Sequence, residues 1–142
     1  MRCNAVAVVR WILFLFTLVW VTVSMTLSST SLERLRSEFS WIGQPLNWID
    51  SFWPSSDIMH ALLFALLSFV ARVALPTLSL RTLVVCLALF AGASELVQFW
   101  VPGREPWMSD FALDMVGVLA GLLSCTLCVI GWGRISARLC VK

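Results

Sequence analysis

Residues 111–130 read FALDMVGVLAGLLSCTLCVI, and Asp114 is the only charged residue among them. A helix needs about 20 residues to cross a hydrocarbon layer about 30 Å thick. Inside that layer every backbone polar group must be bonded within its own segment, so a spanning stretch of this kind has to be helical. The sequence therefore predicts a transmembrane helix here.

Three further apolar stretches are also predicted to be transmembrane helices: 5–27, 58–75 and 82–101. The first is predicted to be a retained helix, because 11–27 is longer than the apolar core of about 7–15 residues typical of a cleaved signal peptide. The second contains Arg72 near its end, where an arginine can extend to the headgroups. Residues 1–142 are thus predicted to form one all-α integral membrane domain, a four-helix transmembrane bundle.

The composition agrees with a membrane protein. The chain is 60% hydrophobic and 13% charged, and its net charge is +2. A soluble domain carries about 25% charged residues, so an ordinary soluble enzyme is excluded. The small net charge without a basic run excludes a nucleic-acid-binding surface. Membrane lipid is the expected partner, whereas protein partners are not indicated.

The basic residues predict the orientation of the spans. With the N-terminus inside, seven basic residues and no acidic residue lie on the cytoplasmic side, against three basic residues on the other side. Basic residues accumulate on the cytoplasmic side of membrane proteins. The chain is therefore predicted to be a multi-pass protein with both termini in the cytoplasm. The seven are Arg2, Arg10, Arg72, Arg81, Arg134, Arg138 and Lys142.

The loop 28–57 is too long for a simple turn. Thr30-x-x-Glu33 matches a capping box, and an apolar stripe at helical spacing follows it. Gly43 and Pro45 are predicted to end this helix, before a Trp-rich segment typical of a membrane interface. We expect a short outer interfacial helix that serves as a positioning anchor, with a lipid-sensing lid as the alternative. The stripe consists of Leu32, Leu35, Phe39 and Ile42.

Polar residues gather at the outer ends of the predicted spans, and ionisable residues inside spans are functional candidates by default. Asp57 and His60, the only histidine, begin the second span, and Arg104 lies in the loop between the third and fourth. The sequence predicts that these groups form one outer-leaflet site. The ligand-binding candidates are His60, Glu95, Gln98, Arg104, Asp110 and Asp114.

Small residues would allow the helices that carry these groups to meet. Asp114, Gly117 and Gly121 form one stripe, and Gly-x-x-x-Gly permits close approach of a neighbouring backbone. The third span also has small side chains next to Glu95, at residues 91–94 (Ala-Gly-Ala-Ser), which would allow close packing there. The alternative is that the polar groups only hold the helices together. Interhelical hydrogen bonds contribute about 0.6 kcal/mol each, whereas burying an ionisable group costs a few kcal/mol. A site for a polar ligand is the better explanation.

The segments 95–104 (ELVQFWVPGR) and 109–117 (SDFALDMVG), followed by Gly121, resemble the VanZ-like family of small bacterial membrane proteins. The family pattern has E-x-x-Q, a P-G-R-like turn, S-D, an Asn four residues on and two spaced glycines. The resemblance covers 57–121, about half the chain. This chain departs from the pattern in having Asp114 in place of Asn, and in a second-span Asp57–His60 element that is one residue shorter and lacks a Lys.

The resemblance implies a role in the bacterial cell envelope, in the cytoplasmic (inner) membrane. The family takes its name from a protein that gives low-level resistance to the glycopeptide antibiotic teicoplanin, by a mechanism that is unsettled. The resemblance therefore indicates a role in the cell envelope more firmly than it indicates a chemical reaction.

Three functions remain open at this point. The first is binding of a lipid-linked cell-wall precursor or a lipoglycopeptide, with Arg104 holding an anionic group and polar side chains orienting it. The second is hydrolysis or transfer on a lipid-linked substrate, with His60, Glu95 and Asp110 as catalytic candidates. The third is a structural subunit of a membrane complex. No cofactor and no metal is predicted, because a single His without a spaced second ligand is a weak metal signal.

Overall fold

The computed structural model describes residues 2–52, 57–102 and 108–139, which form six helices. They are α1 (Arg2–Thr26), α2 (Ser29–Glu38), α3 (Ser40–Phe52), α4 (Asp57–Ala74), α5 (Leu80–Gln98) and α6 (Met108–Leu139). The described residues contain no strand, so the prediction of an all-α protein is confirmed at this level.

Three helices in the described part of the chain are long and apolar enough to cross a membrane: Ala5–Thr26, Leu80–Gln98 and Met108–Gly131. The apolar part of α4, Ile58–Ala74, is shorter than the length usual for a span. Large apolar side chains cover the outside of the bundle, including Phe16, which is 67% exposed. A surface of this kind is suited to lipid and marks a membrane protein. A fourth span remains a prediction.

The pair of α4 and α6 is the most extensive packing in the bundle. A Cβ placed on Gly117 would collide with the backbone carbonyl of Ala61, and one on Gly121 would collide with the carbonyl of Ala65. From the first contact to the second, the position moves four residues toward the C-terminus in both helices, so α4 and α6 run parallel. The expected close approach at Gly-x-x-x-Gly is present, and α4 is the helix that uses it.

The apolar core lies between α4 and the three long helices. Phe64, in the middle of α4, is fully buried and stacks in a tilted arrangement on Phe90 of α5, with ring centroids 5.7 Å apart. The side chains of α1 and α6 close the core on either side of this pair. The most buried apolar members are Val21, Met25, Phe64, Leu67, Ala71, Leu83, Ala91 and Val118.

The connection between α4 and α5 is held by one arginine. The Arg72 guanidinium donates to the carbonyls of Pro76 and Leu78, at 3.1 and 3.3 Å. It thereby provides partners for carbonyls in the turn that follows the helix, whereas the sequence predicts that it extends to the headgroups. Ser79 then caps α5, its hydroxyl accepting from the backbone N–H of Thr82.

The segment after α1 differs from the sequence prediction in two respects. Ser28 caps α2, in place of the predicted Thr30, since the Ser28 hydroxyl accepts from the backbone N–H of Ser31. Helix α2 ends at Glu38, with Phe39 as its C-cap. Helix α3 begins at Ser40 and continues through Pro45, one of the two residues predicted to end the helix. Gly43 serves packing instead, because a Cβ there would collide with the carbonyl of Arg36 in α2. Two short helices therefore replace the single one predicted.

The last helix is longer than its predicted apolar span. The predicted span ends at residue 130, whereas α6 continues to Leu139. Gly131 lies inside it, and a Cβ added at this glycine would meet no atom within 4 Å. Glycine alone does not stop a helix when neither a proline nor a packed turn follows it.

Candidate functional site

Three helices bring ionisable side chains together where α4 begins, α5 ends and α6 begins. The His60 Nδ1 atom lies 3.4 Å from Asp114 Oδ1 and 3.9 Å from Glu95 Oε1. One nitrogen or oxygen atom from each of the three residues lies within 4.8 Å of the other two. We call His60, Glu95 and Asp114 the polar triad.

The close contact between Gly117 of α6 and Ala61 of α4 explains why the three side chains of the triad come together. Ala61, whose carbonyl lies against Gly117, is the residue after His60, and Asp114 is one helical turn before Gly117. The close approach of the two backbones therefore sets the distance between the imidazole and the Asp114 carboxylate. Glu95 reaches the same place because α5 ends there, only three residues beyond it.

The triad is shielded from its surroundings. Asp114 is fully buried, and His60 and Glu95 are 4% and 9% exposed. Two carboxylates within 4.8 Å of each other would repel by about 3 kcal/mol at an effective dielectric constant of about 20. The arrangement therefore requires a compensating positive charge, which a protonated His60, another cation or a proton can supply.

Asp114 and Gln98 carry buried polar atoms that lack hydrogen-bond partners in the described part of the chain. The 3.4 Å between His60 Nδ1 and Asp114 exceeds the usual 2.7–3.2 Å range of an N–H···O bond. Within the described part of the chain, neither carboxylate oxygen of Asp114 has a hydrogen-bond partner. The same holds for Nε2 of Gln98, one turn after Glu95 and 1% exposed. Buried polar groups normally have partners, so these atoms indicate an additional group at the site.

The other candidates have different positions. Asp110 is half-buried, accepts from the Ser109 hydroxyl at 3.4 Å, and does not belong to the triad. Arg104 lies outside the described residues, as does the side chain of Asp57. The roles assigned to these residues from the sequence remain predictions.

The face of α4 that packs against α6 was not among the features predicted from the sequence. Ala61, Ala65 and Ser68 form this face, and the Ser68 hydroxyl, which donates to the Ala65 carbonyl at 3.0 Å, borders the space beside Gly121. The signal was available, because small residues at i, i+4 and i+7 match the glycine spacing of α6. At Gly92 of α5, by contrast, the nearest atom is 3.9 Å away on Phe111, an ordinary contact.

An open apolar groove with a volume of about 540 Å³ lies along α5, and one residue of α6, Phe111, also lines it. Gly92 lies three residues before Glu95 and Phe111 three residues before Asp114, a spacing that makes them neighbours on a helix. None of the three triad residues lines the groove, so groove and triad are related through neighbouring turns of α5 and α6. It is lined by Val85, Ala88, Leu89, Gly92, Ala93, Leu96 and Phe111.

Comparison with known families assigns the chain. The family model described as VanZ/LLP1 matches residues 7–129, which is most of the sequence and includes the whole triad. The chain belongs to the VanZ/LLP1 family. The resemblance seen in the sequence is thus confirmed. Searches of curated proteins and of solved structures found no match.

Within the VanZ/LLP1 match lie α4, α5, the paired glycines of α6 and the groove. The family assignment and the apolar helices together indicate a membrane protein.

Proposed function

We propose that this VanZ/LLP1 protein binds an amphiphilic envelope ligand at the outer leaflet of the bacterial cytoplasmic membrane and contributes to glycopeptide (teicoplanin) resistance. The ligand class is a lipid-linked cell-wall precursor or a lipoglycopeptide. Binding depends on a buried polar triad that adjoins an apolar groove.

The observation that carries this proposal is that the triad and the apolar groove occupy neighbouring turns of α5 and α6. An amphiphile needs an apolar surface for its tail and polar groups for its head, and ligand sites combine the two in this way. The groove offers Phe111 and Leu96 to an acyl or isoprenoid chain. Glu95 and Gln98 then lie where the head group would be.

The charge of the site sets a condition on the ligand. Glu95 and Asp114 supply two carboxylates against one imidazole, so the triad does not by itself attract a phosphate. In this proposal Arg104 provides the positive charge, because a guanidinium binds a phosphate or carboxylate with two parallel hydrogen bonds. An Arg104→Lys variant should therefore retain less function than the wild type.

Teicoplanin susceptibility in a sensitive host that expresses the protein tests this function. We expect Glu95→Gln and Arg104→Ala to lower the protective effect to that of an empty vector. Glu33→Gln is the matched control, because Glu33 is an exposed carboxylate on α2. Immunoblots of membrane fractions must show equal amounts of each protein. Wild-type protection by both site variants would refute the proposal, and so would failure of the wild type to protect.

Binding is tested separately with the purified protein in lipid nanodiscs and an isoprenoid phosphate as the probe. Native mass spectrometry should show a retained lipid for the wild type and less for Arg104→Ala. A Leu96→Trp variant fills the groove without changing a charge and should also weaken retention. Equal retention by all three proteins would contradict a site composed of triad and groove.

A membrane-embedded hydrolase or transferase is the second candidate, and the His60–Asp114 pair favours it. An imidazole beside a carboxylate is a common general acid–base arrangement. The Ser94 hydroxyl donates to the Ala91 carbonyl at 2.7 Å, so it is not poised as a nucleophile and water would have to attack. Release of product from a lipid-linked precursor, abolished by His60→Gln, would support the enzyme.

A further inference from the structure

We infer that the polar triad of His60, Glu95 and Asp114 is a binding site for one divalent transition-metal cation such as Zn²⁺ or Mn²⁺. The sequence did not predict this site, because its ligands lie on three helices and share no local spacing. The inference does not rest on the proposed function, since it concerns the cation alone.

The distances within the triad fit a coordination sphere. A zinc ion binds nitrogen and carboxylate oxygen at about 2.0–2.2 Å, so two ligands at a tetrahedral angle lie about 3.4 Å apart. The His60–Asp114 separation is 3.4 Å and the His60–Glu95 separation 3.9 Å. The first equals the edge of such a tetrahedron, and the second requires a small inward movement. The ligand atoms of Glu95 and Asp114, which lie within 4.8 Å of each other, would also move closer together when the ion binds.

The unpartnered atoms provide a second and independent observation. Asp114 is fully buried, and both its carboxylate oxygens lack a hydrogen-bond partner in the described part of the chain. A cation would bind one of them and offset the repulsion between the two carboxylates. A water on the cation could accept from Nε2 of Gln98, which is 1% exposed and also lacks a partner among the described residues.

The donor set limits the class of metal. Magnesium and calcium prefer oxygen ligands, whereas imidazole suits zinc and other transition metals, and carboxylate oxygens suit manganese. Three protein ligands also leave at least one position open, as in zinc sites that bind water or substrate. Such an ion would present positive charge toward the groove.

Metal content of the purified protein is the direct test. The protein carries a tag without histidine, and all five cysteines are replaced to remove adventitious thiol ligands. After treatment with a chelator, the detergent-solubilised protein is equilibrated with Zn²⁺ or Mn²⁺, and bound metal is measured by mass spectrometry. We expect about one ion per chain, and an absorption spectrum typical of a nitrogen- and oxygen-ligated ion when Co²⁺ is used.

Asp114→Asn removes one ligand with little change in shape. Changes to groups outside the first coordination sphere typically lower metal affinity about 10–100-fold, so loss of a ligand should lower it at least as much. Glu33→Gln is the control, because Glu33 is an exposed carboxylate on α2 and lies outside the triad; it should bind as the parent does.

Three results would overturn the inference. The first is a folded parent protein that retains no more Zn²⁺ or Mn²⁺ than a membrane protein without such a cluster. The second is equal affinity in Asp114→Asn and Glu33→Gln, and the third is preferential binding of Ca²⁺ or Mg²⁺. The parent measurement does not depend on the folding of any triad variant, and the same measurement on the protein with its natural cysteines shows whether their replacement matters. Because none of these assays uses lipid or antibiotic, their failure is distinct from failure of the proposed function.

Discussion

Replacement of Gly117 by Ala tests the packing that assembles the site. The added Cβ would collide with the backbone carbonyl of Ala61, and a backbone atom cannot rotate away as the end of a side chain can. α4 and α6 must then separate. Inserting a methyl group into a tight contact costs about 1–3 kcal/mol, and the upper end applies here because backbone opposes it.

Part of that cost is offset within the helix. Alanine favours a helix over glycine by about 1 kcal/mol, so the net loss at Gly117 should be about 2 kcal/mol, or about 30-fold in the unfolding equilibrium. Gly131→Ala is the matched control on the same helix, since no atom lies within 4 Å of its added Cβ. It should gain about 0.5–1 kcal/mol. We therefore expect the two variants to differ by about 3 kcal/mol.

The assay is equilibrium unfolding in mixed micelles of dodecyl maltoside and SDS, followed by far-ultraviolet circular dichroism. Gly92→Ala adds an intermediate case, because its new Cβ would meet Phe111 at an ordinary 3.9 Å, and it should not lose stability. If Gly117→Ala proves as stable as Gly131→Ala, the α4–α6 contact is not the constraint described here. In that case the contact between Gly117 and Ala61 does not set the distance between His60 and Asp114.

Three further outcomes are expected. Ser28→Ala removes the N-cap of α2 and should lower stability by about 1 kcal/mol, which would appear as faster hydrogen exchange in α2 alone. Exchange rates in α2 equal to those of the wild type would contradict the capping role. Arg72→Gln removes donors to two carbonyls of the α4–α5 turn and should increase proteolysis there, and an unchanged cleavage pattern would count against it. Asp114→Asn restores the common family residue and removes one of two close carboxylates, so it should accumulate in membranes and, with both proteins stripped of metal by a chelator, melt no lower than the wild type. A clear fall in its melting temperature would show that the charge is needed for folding.

The membrane character and the positions of the long helices could be predicted from local sequence. Apolar length and the absence of charge determine whether a segment can enter lipid, and both are readable without knowing any neighbour. α4 and α5 begin within two residues of their predicted starts. The stripe of Asp114, Gly117 and Gly121 also correctly indicated a close helix contact.

Predictions that relied on local stop and start signals were less successful. Pro45 lies inside α3, although proline usually marks a helix end. Gly43 has a packing role against Arg36 that no local pattern reveals. Tertiary contacts override weak propensities of this kind.

The sequence by itself specified a membrane protein of the VanZ-like type and named the polar residues of a candidate site. Only the tertiary structure selected which of them meet, because small-residue stripes occur on α4, α5 and α6 alike and a stripe does not name its partner. The parallel packing of Ala61 against Gly117 places His60 beside Asp114, and the end of α5 adds Glu95. Distances between side chains on different helices depend on that choice of partner, which no periodicity within one helix contains.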